Sequence, residues 1–91
     1  MNYRTSHHAK VRMQQRGIPP HVVDNIIAYG STRKVQGGAV ARYMNKEAML
    51  QAKETLSRSE RLALDRYKRV YVIVESDRVI TVGHRSEKYY R

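Results

Sequence analysis

The stretch RVYVIVESDRVITVGHR, residues 69–85, holds two apolar runs separated by a short polar segment. The first run, RVYVIVE, is apolar at every position between its charged ends, which is typical of a central strand buried on both faces. Ser76-Asp77 forms the turn, and RVITVGHR returns as the last strand. These residues predict an antiparallel hairpin and therefore a sheet on which the rest of the chain packs.

A second hairpin is predicted further upstream, in STRKVQGGAVARYMN, residues 31–45. Gly37-Gly38 lies between its two arms, and paired glycines readily adopt the positive backbone angles that tight hairpin turns require. Together the two hairpins predict an antiparallel sheet of about four strands.

Two helices are predicted before the first hairpin. Ser6 is a suitable N-cap and Gly17 a suitable C-terminal residue for a helix over residues 7–16. A second helix over residues 20–29 begins with proline in its first turn, and Gly30 can end it. Its apolar residues repeat at helical spacing and predict a wide core-facing stripe, made of Val22, Val23, Ile26 and Ile27.

A third helical segment lies between the two hairpins. Asn45 can cap it, and the residues from Ser57 to Glu60 fit a capping box, so we expect the helix to break and restart there. The predicted order is α-α-β-β-α-β-β. The chain is thus expected to be one α+β domain over residues 1–91, with a basic tail at about 86–91.

The composition predicts a negatively charged partner. Lys and Arg number 18 against 8 Asp and Glu, a formal net charge of +10, and residues 1–44 contain seven cations and a single acid, Asp24. An electrostatic field so strongly positive favours nucleic acid or an acidic protein as the binding partner. The alternative is that the charge only keeps the protein in solution.

Several classes of protein are disfavoured by the sequence. It contains no cysteine, so neither a disulfide framework nor a thiolate zinc site is expected. No apolar run approaches the roughly 18 residues of a membrane span, and the first residues lack the apolar core of a signal peptide. We therefore expect a cytoplasmic protein that does not associate with a membrane.

Two segments resemble a known family. HAKVRMQQRGI, residues 8–18, resembles the pattern H-A-x-x-R-M-x-x-R-G-I that opens a bacterial domain family of unknown function. YKRVYVIVESDRVITV, residues 67–82, is similar to the closing hairpin of that family, whereas residues 45–66 form a longer connection than is usual there. The family is similar in element order to the RelE/ParE and BrnT toxins. This resemblance implies a RelE-like fold and a toxin-type endoribonuclease that needs no metal or other cofactor and is inhibited by an acidic antitoxin.

The chemistry of metal-free RNA cleavage identifies catalytic candidates. Attack of the 2′-OH on the adjacent phosphate needs a base, an acid, and cations that neutralise the phosphate. Imidazole suits the first two roles and guanidinium the third. His8, Arg12 and Arg16 share one edge of the first helix. We predict that they form one wall of a phosphate site, facing Arg85 from the last strand.

Further side chains are candidates for RNA contact, the tyrosines because they can stack on bases. The predicted nucleic-acid-binding residues are Lys10, Arg42, Tyr43, Lys68, Tyr71 and His84. Strand alternation places His84 with Ile80 and Val82, on the opposite side from Arg85, and favours Arg85 as the site residue. Tyr71 in a central strand is alternatively a packing residue.

Each catalytic assignment has a structural alternative. His8 could simply hydrogen-bond at the start of its helix, and Arg12 and Arg16 could form surface ion pairs. A metal site at His7, His8 and His21 is disfavoured, because adjacent helical side chains diverge by about 100°. The alternative functions are a non-catalytic RNA- or DNA-binding module and an interaction protein that docks an acidic partner.

Overall fold

A computed structural model describes residues 3–85, so the predicted basic tail at 86–91 lies outside the described residues. In chain order the elements are β1 (Arg4–Thr5), α1 (His7–Arg16), α2 (Pro20–Tyr29), β2 (Ser31–Lys34), β3 (Val40–Tyr43), α3 (Lys46–Thr55), α4 (Arg58–Arg66), β4 (Val70–Glu75) and β5 (Arg78–His84). The α+β class, the two N-terminal helices and both hairpins are as the sequence predicts.

The sheet differs from the prediction at one edge. Its strand order is β1-β5-β4-β3-β2, and β1 pairs in parallel with β5 whereas the other neighbours are antiparallel. Within residues 3–85 the sheet is therefore mixed and five-stranded, so the expectation of about four antiparallel strands was wrong. The sequence did not predict β1, because a strand of two residues shows no alternation of polar and apolar side chains. A hydrogen bond from Arg4 N–H to the Asp77 carbonyl, at 2.8 Å, holds β1 at the edge of the sheet.

The segment between the hairpins is two helices rather than one. Asn45 caps α3 through a hydrogen bond from Ala48 N–H, and Ser57 caps α4 with Glu60 completing the capping box. The predicted single inserted helix is corrected to this pair, and the break lies at the predicted capping box.

The first two helices have the predicted bounds. The Ser6 hydroxyl accepts a hydrogen bond from Ala9 N–H, and Gly17 ends α1 with φ of 63°, a conformation that costs glycine little. The Ser6 hydroxyl also donates to the Ile80 carbonyl at 3.1 Å. The start of α1 is thus anchored to β5.

A bulge interrupts the pairing of β4 with β5. Ile73 pairs with Thr81 but the next residue, Val74, pairs with Val79, so Ile80 is the extra residue. Val79 therefore faces the core in place of Ile80, and the prediction that Ile80 shares a face with Val82 was wrong. Strict alternation of faces fails wherever one strand gains a residue.

In the described part of the chain, each of the helices α1 to α4 contributes to a core on one face of the sheet. Buried residues of α1, α2, α3 and α4 form a single cluster with the sheet residues Val70, Val72, Val74, Val79 and Val82. Within residues 3–85, no helix is long and apolar enough to cross a bilayer. The opposite face of the sheet carries a different set of side chains, and these form the candidate site.

Candidate nucleic-acid interface

The face of the sheet opposite the helices, here called the open face, carries a row of residues across four strands. Ser31 on β2 pairs with Tyr43 on β3, Tyr43 with Tyr71 on β4, and Tyr71 with Gly83 on β5. Directly opposed residues on neighbouring strands point to the same face. Tyr43 and Tyr71 are half-buried, and they are neighbours on a surface of the sheet that lies away from the helical core.

Gly83 gives the ring of Tyr71 its place on this face. A Cβ atom at Gly83 would lie 2.7 Å from the Tyr71 hydroxyl oxygen and 2.9 Å from the Cζ atom. These distances are shorter than real contacts, so the ring occupies the space that any other residue at position 83 would fill. Glycine inside a strand often marks such a close approach.

Arg85 extends the row at the end of β5. Its Nη2 donates to the Lys68 carbonyl at 2.7 Å and to the Met44 carbonyl at 3.1 Å, and its Cζ lies 5.5 Å from the centre of the Tyr43 ring. Its backbone N–H donates to the Arg69 carbonyl at 2.6 Å. The guanidinium is thus held in one orientation by backbone carbonyls and by a cation–π contact, and a positioned guanidinium is well suited to phosphate.

The catalytic candidates on α1 differ in their exposure to solvent. His8 and Arg16 are exposed, and Arg12 is half-buried with its Nε atom buried and without a hydrogen-bond partner among the described residues. The Arg85 side chain contacts Tyr43, Met44 and Lys68. These contacts give no support to a wall of α1 residues facing Arg85, and that arrangement remains a hypothesis.

The remaining predicted contact residues occupy three kinds of position. Arg42 projects toward the helices, and its Nη2 donates to the carbonyls of Ile27 at 2.7 Å and Gly30 at 3.0 Å, so it closes the C-terminal end of α2. His84 pairs with Val70 on the helical face and is exposed at its edge. Lys10 and Lys68 are exposed. The hydrogen bonds of Arg42 give it a structural role, which the sequence did not indicate.

Lys10 lines a hollow of about 440 Å³ whose walls are mainly apolar, formed by Thr5, Lys10, Met13, Gln14, Ile18 and Pro20. Arg85 lines a different hollow, beside α3. Among residues 3–85, no group of three or more His, Asp or Glu side chains is placed to hold a metal ion.

Sequence reasoning selected Tyr43, Tyr71 and Arg85 but missed Gly83. The signal for Gly83 was available, because a lone glycine in the apolar run RVITVGHR is unusual for a strand interior. The side chain that occupies the space above Gly83 is that of its pairing partner, Tyr71, and this pairing cannot be read from the sequence.

Comparison of the chain with known protein families, with curated proteins and with solved structures found no match.

Proposed function

We propose that this protein binds single-stranded RNA on the open face of its sheet. The observation that carries the proposal is the row in which Tyr43 and Tyr71 lie side by side and Arg85 is held over the Tyr43 ring. Sheet faces that present aromatic rings bind single strands by stacking on their unpaired bases, and arginine adds contacts to phosphate.

The charge of the chain supports a polyanion as ligand. The formal net charge is +10, and the exposed Arg33 pairs with Ala41 on the same face as Tyr43. Cations beside a stacking surface bind the backbone of a strand whose bases lie on the rings. Cytoplasmic RNA is the ligand we propose, which would place the protein in the cytoplasm.

Tyrosine variants test the proposal directly. Tyr43→Ala and Tyr71→Ala should each raise the Kd for a labelled oligouridylate by about 5- to 100-fold, the range expected for loss of one stacked base. Tyr43→Phe and Tyr71→Phe keep the ring and should bind like the wild type. Fluorescence anisotropy measures the Kd, and circular dichroism confirms that each variant is folded. Alanine variants that are folded and bind RNA as tightly as the wild type would contradict the proposal.

A second candidate is a metal-independent endoribonuclease of the toxin kind, inhibited by an acidic antitoxin. The observation that favours it is the edge of α1, where His8 and Arg16 are exposed on either side of the Arg12 guanidinium. An imidazole beside guanidinium groups supplies the acid or base and the phosphate contacts that 2′-OH attack requires.

The adjacent histidine provides a matched control for this candidate. In EDTA, His8→Ala should slow RNA cleavage by about 10²- to 10⁴-fold with little change in affinity, because a positioned acid or base contributes about that much. His7 is also exposed but diverges from His8 by about 100° around the helix, so His7→Ala should cleave normally. Wild-type protein without ribonuclease activity, or a fully active His8→Ala variant, would eliminate this candidate.

A further inference from the structure

A basic hollow adjoins the open face at Arg85. Its volume is about 450 Å³, and it lies beside α3, the end of α4 and the segment that leads into β4. Its lining residues are Met44, Asn45, Lys46, Met49, Leu50, Lys53, Asp65, Lys68 and Arg85. The helical segment between the two hairpins therefore builds a concave surface next to the proposed RNA site.

The lining of this hollow is strongly cationic. Four of its residues, Lys46, Lys53, Lys68 and Arg85, carry a positive charge, against one carboxylate, Asp65. The three lysines are exposed, so their ammonium groups remain hydrated while they project into the same concavity. Such an arrangement favours an anion with several charges spaced along it over a single small ion.

Arg85 belongs to both surfaces. It lies over the Tyr43 ring on the open face, and it also lines the hollow, where the carbonyls of Met44 and Lys68 accept from its Nη2. A strand stacked on Tyr43 would therefore have its backbone next to Arg85, which also lines this concave cationic surface.

We propose that single-stranded RNA bound on the open face continues past Arg85 into the α3–α4 hollow, where Lys46 and Lys53 bind its phosphates. This inference rests on the proposed function. It gives the helical pair between the hairpins a role, which is to lengthen the RNA site by a segment that recognises backbone charge rather than bases.

RNA length provides the test. Binding of oligouridylates from about 3 to about 12 nucleotides, a span like that of other small single-strand binders, is measured for the wild type and for Lys46→Gln/Lys53→Gln. Short RNA should bind both proteins alike, because it covers only the open face. Longer RNA should gain affinity with the wild type and much less with the double variant. For the long RNA, the slope of log K against log salt should become shallower by roughly 1.4, or 0.7 for each lost phosphate contact.

The control removes the same charge from elsewhere. Arg4→Gln/Lys34→Gln takes two exposed cations from the two edge strands of the sheet, outside the hollow, and should keep the wild-type length dependence. The inference is overturned if the Lys46→Gln/Lys53→Gln variant gains affinity with RNA length as the wild type does. It is also overturned if the control variant loses as much of this length-dependent gain as the Lys46→Gln/Lys53→Gln variant. Failure of the proposed function gives a different result, in which Tyr43→Ala binds even the shortest RNA as the wild type does.

Discussion

The missing side chain at Gly83 decides where the Tyr71 ring can lie. In Gly83→Ala, the new methyl group would lie 2.7 Å from the Tyr71 hydroxyl oxygen, so the ring has to leave its place on the open face. We expect a loss of about 1–3 kcal/mol in the free energy of unfolding, as for other overpacked sites, together with weaker RNA binding. Chemical denaturation and fluorescence anisotropy measure the two effects.

A double-mutant cycle of Gly83 and Tyr71 tests whether the contact between them causes the loss of stability. In a Tyr71→Ala background the clashing atoms are absent, so Gly83→Ala should cost almost no stability there. If Gly83→Ala destabilises both backgrounds equally, the effect arises in the strand itself and the contact with Tyr71 is not its source.

Single residues also show which parts of the site a sequence predicts. Alternation along β5 predicts that His84 shares a face with Val82, and His84 pairs with Val70 on the helical face. Arg42 could not be assigned in the same way. Its hydrogen-bond acceptors are the carbonyls of Ile27 and Gly30. These carbonyls lie close to Arg42 only because α2 packs on the sheet.

At the scale of the element, the capping box of α4 predicts a pH dependence. The Glu60 carboxylate accepts hydrogen bonds from the Ser57 backbone N–H and hydroxyl, and these hold the pKa of Glu60 below its usual value of 4.5. Because the pKa is lowered in the folded state, the carboxylate stabilises the fold above pH 4.5, and that contribution is lost as the pH falls through the folded-state pKa.

Glu60→Gln isolates this contribution, since glutamine also fits a capping box but does not titrate. The wild type should be more stable than Glu60→Gln near neutral pH, and the difference should shrink as the pH falls below 4.5. Urea denaturation across this range measures it. A difference in stability that does not change with pH would mean that the charge of Glu60 contributes nothing.

Caps, helices and hairpins, which have local sequence signals, were predicted, whereas β1 and the bulge in β5 were not. The caps at Ser6, Asn45 and Ser57 each hydrogen-bond a backbone N–H three residues later, so a short window of sequence contains all the information. The strand β1 and the bulge at Ile80 exist only through their partners on other strands. No local pattern of residues marks either of them.

For the whole molecule, the strand order predicts unequal stability across the sheet. β4 lies between β5 and β3 and contributes Val70, Val72 and Val74 to the core, whereas β2 is an edge strand with three exposed residues. Amide protons of β4 should exchange only on global unfolding, and those of β2 should exchange much faster through local opening. Hydrogen exchange followed by NMR measures both. Equal protection of the two strands would contradict this ranking.

The bond between Ser6 and Ile80 joins residues that are 74 positions apart in the chain, and this separation has a consequence for synthesis. A ribosome makes α1 well before β5, the strand that anchors it. Closing so long a loop has an entropic cost, and folds rich in such contacts form slowly. Until the β4–β5 hairpin has been made, α1 lacks this anchor. Gly83 and Arg85 are made after α1, so the proposed RNA site on the open face is complete only once β5 has been synthesised.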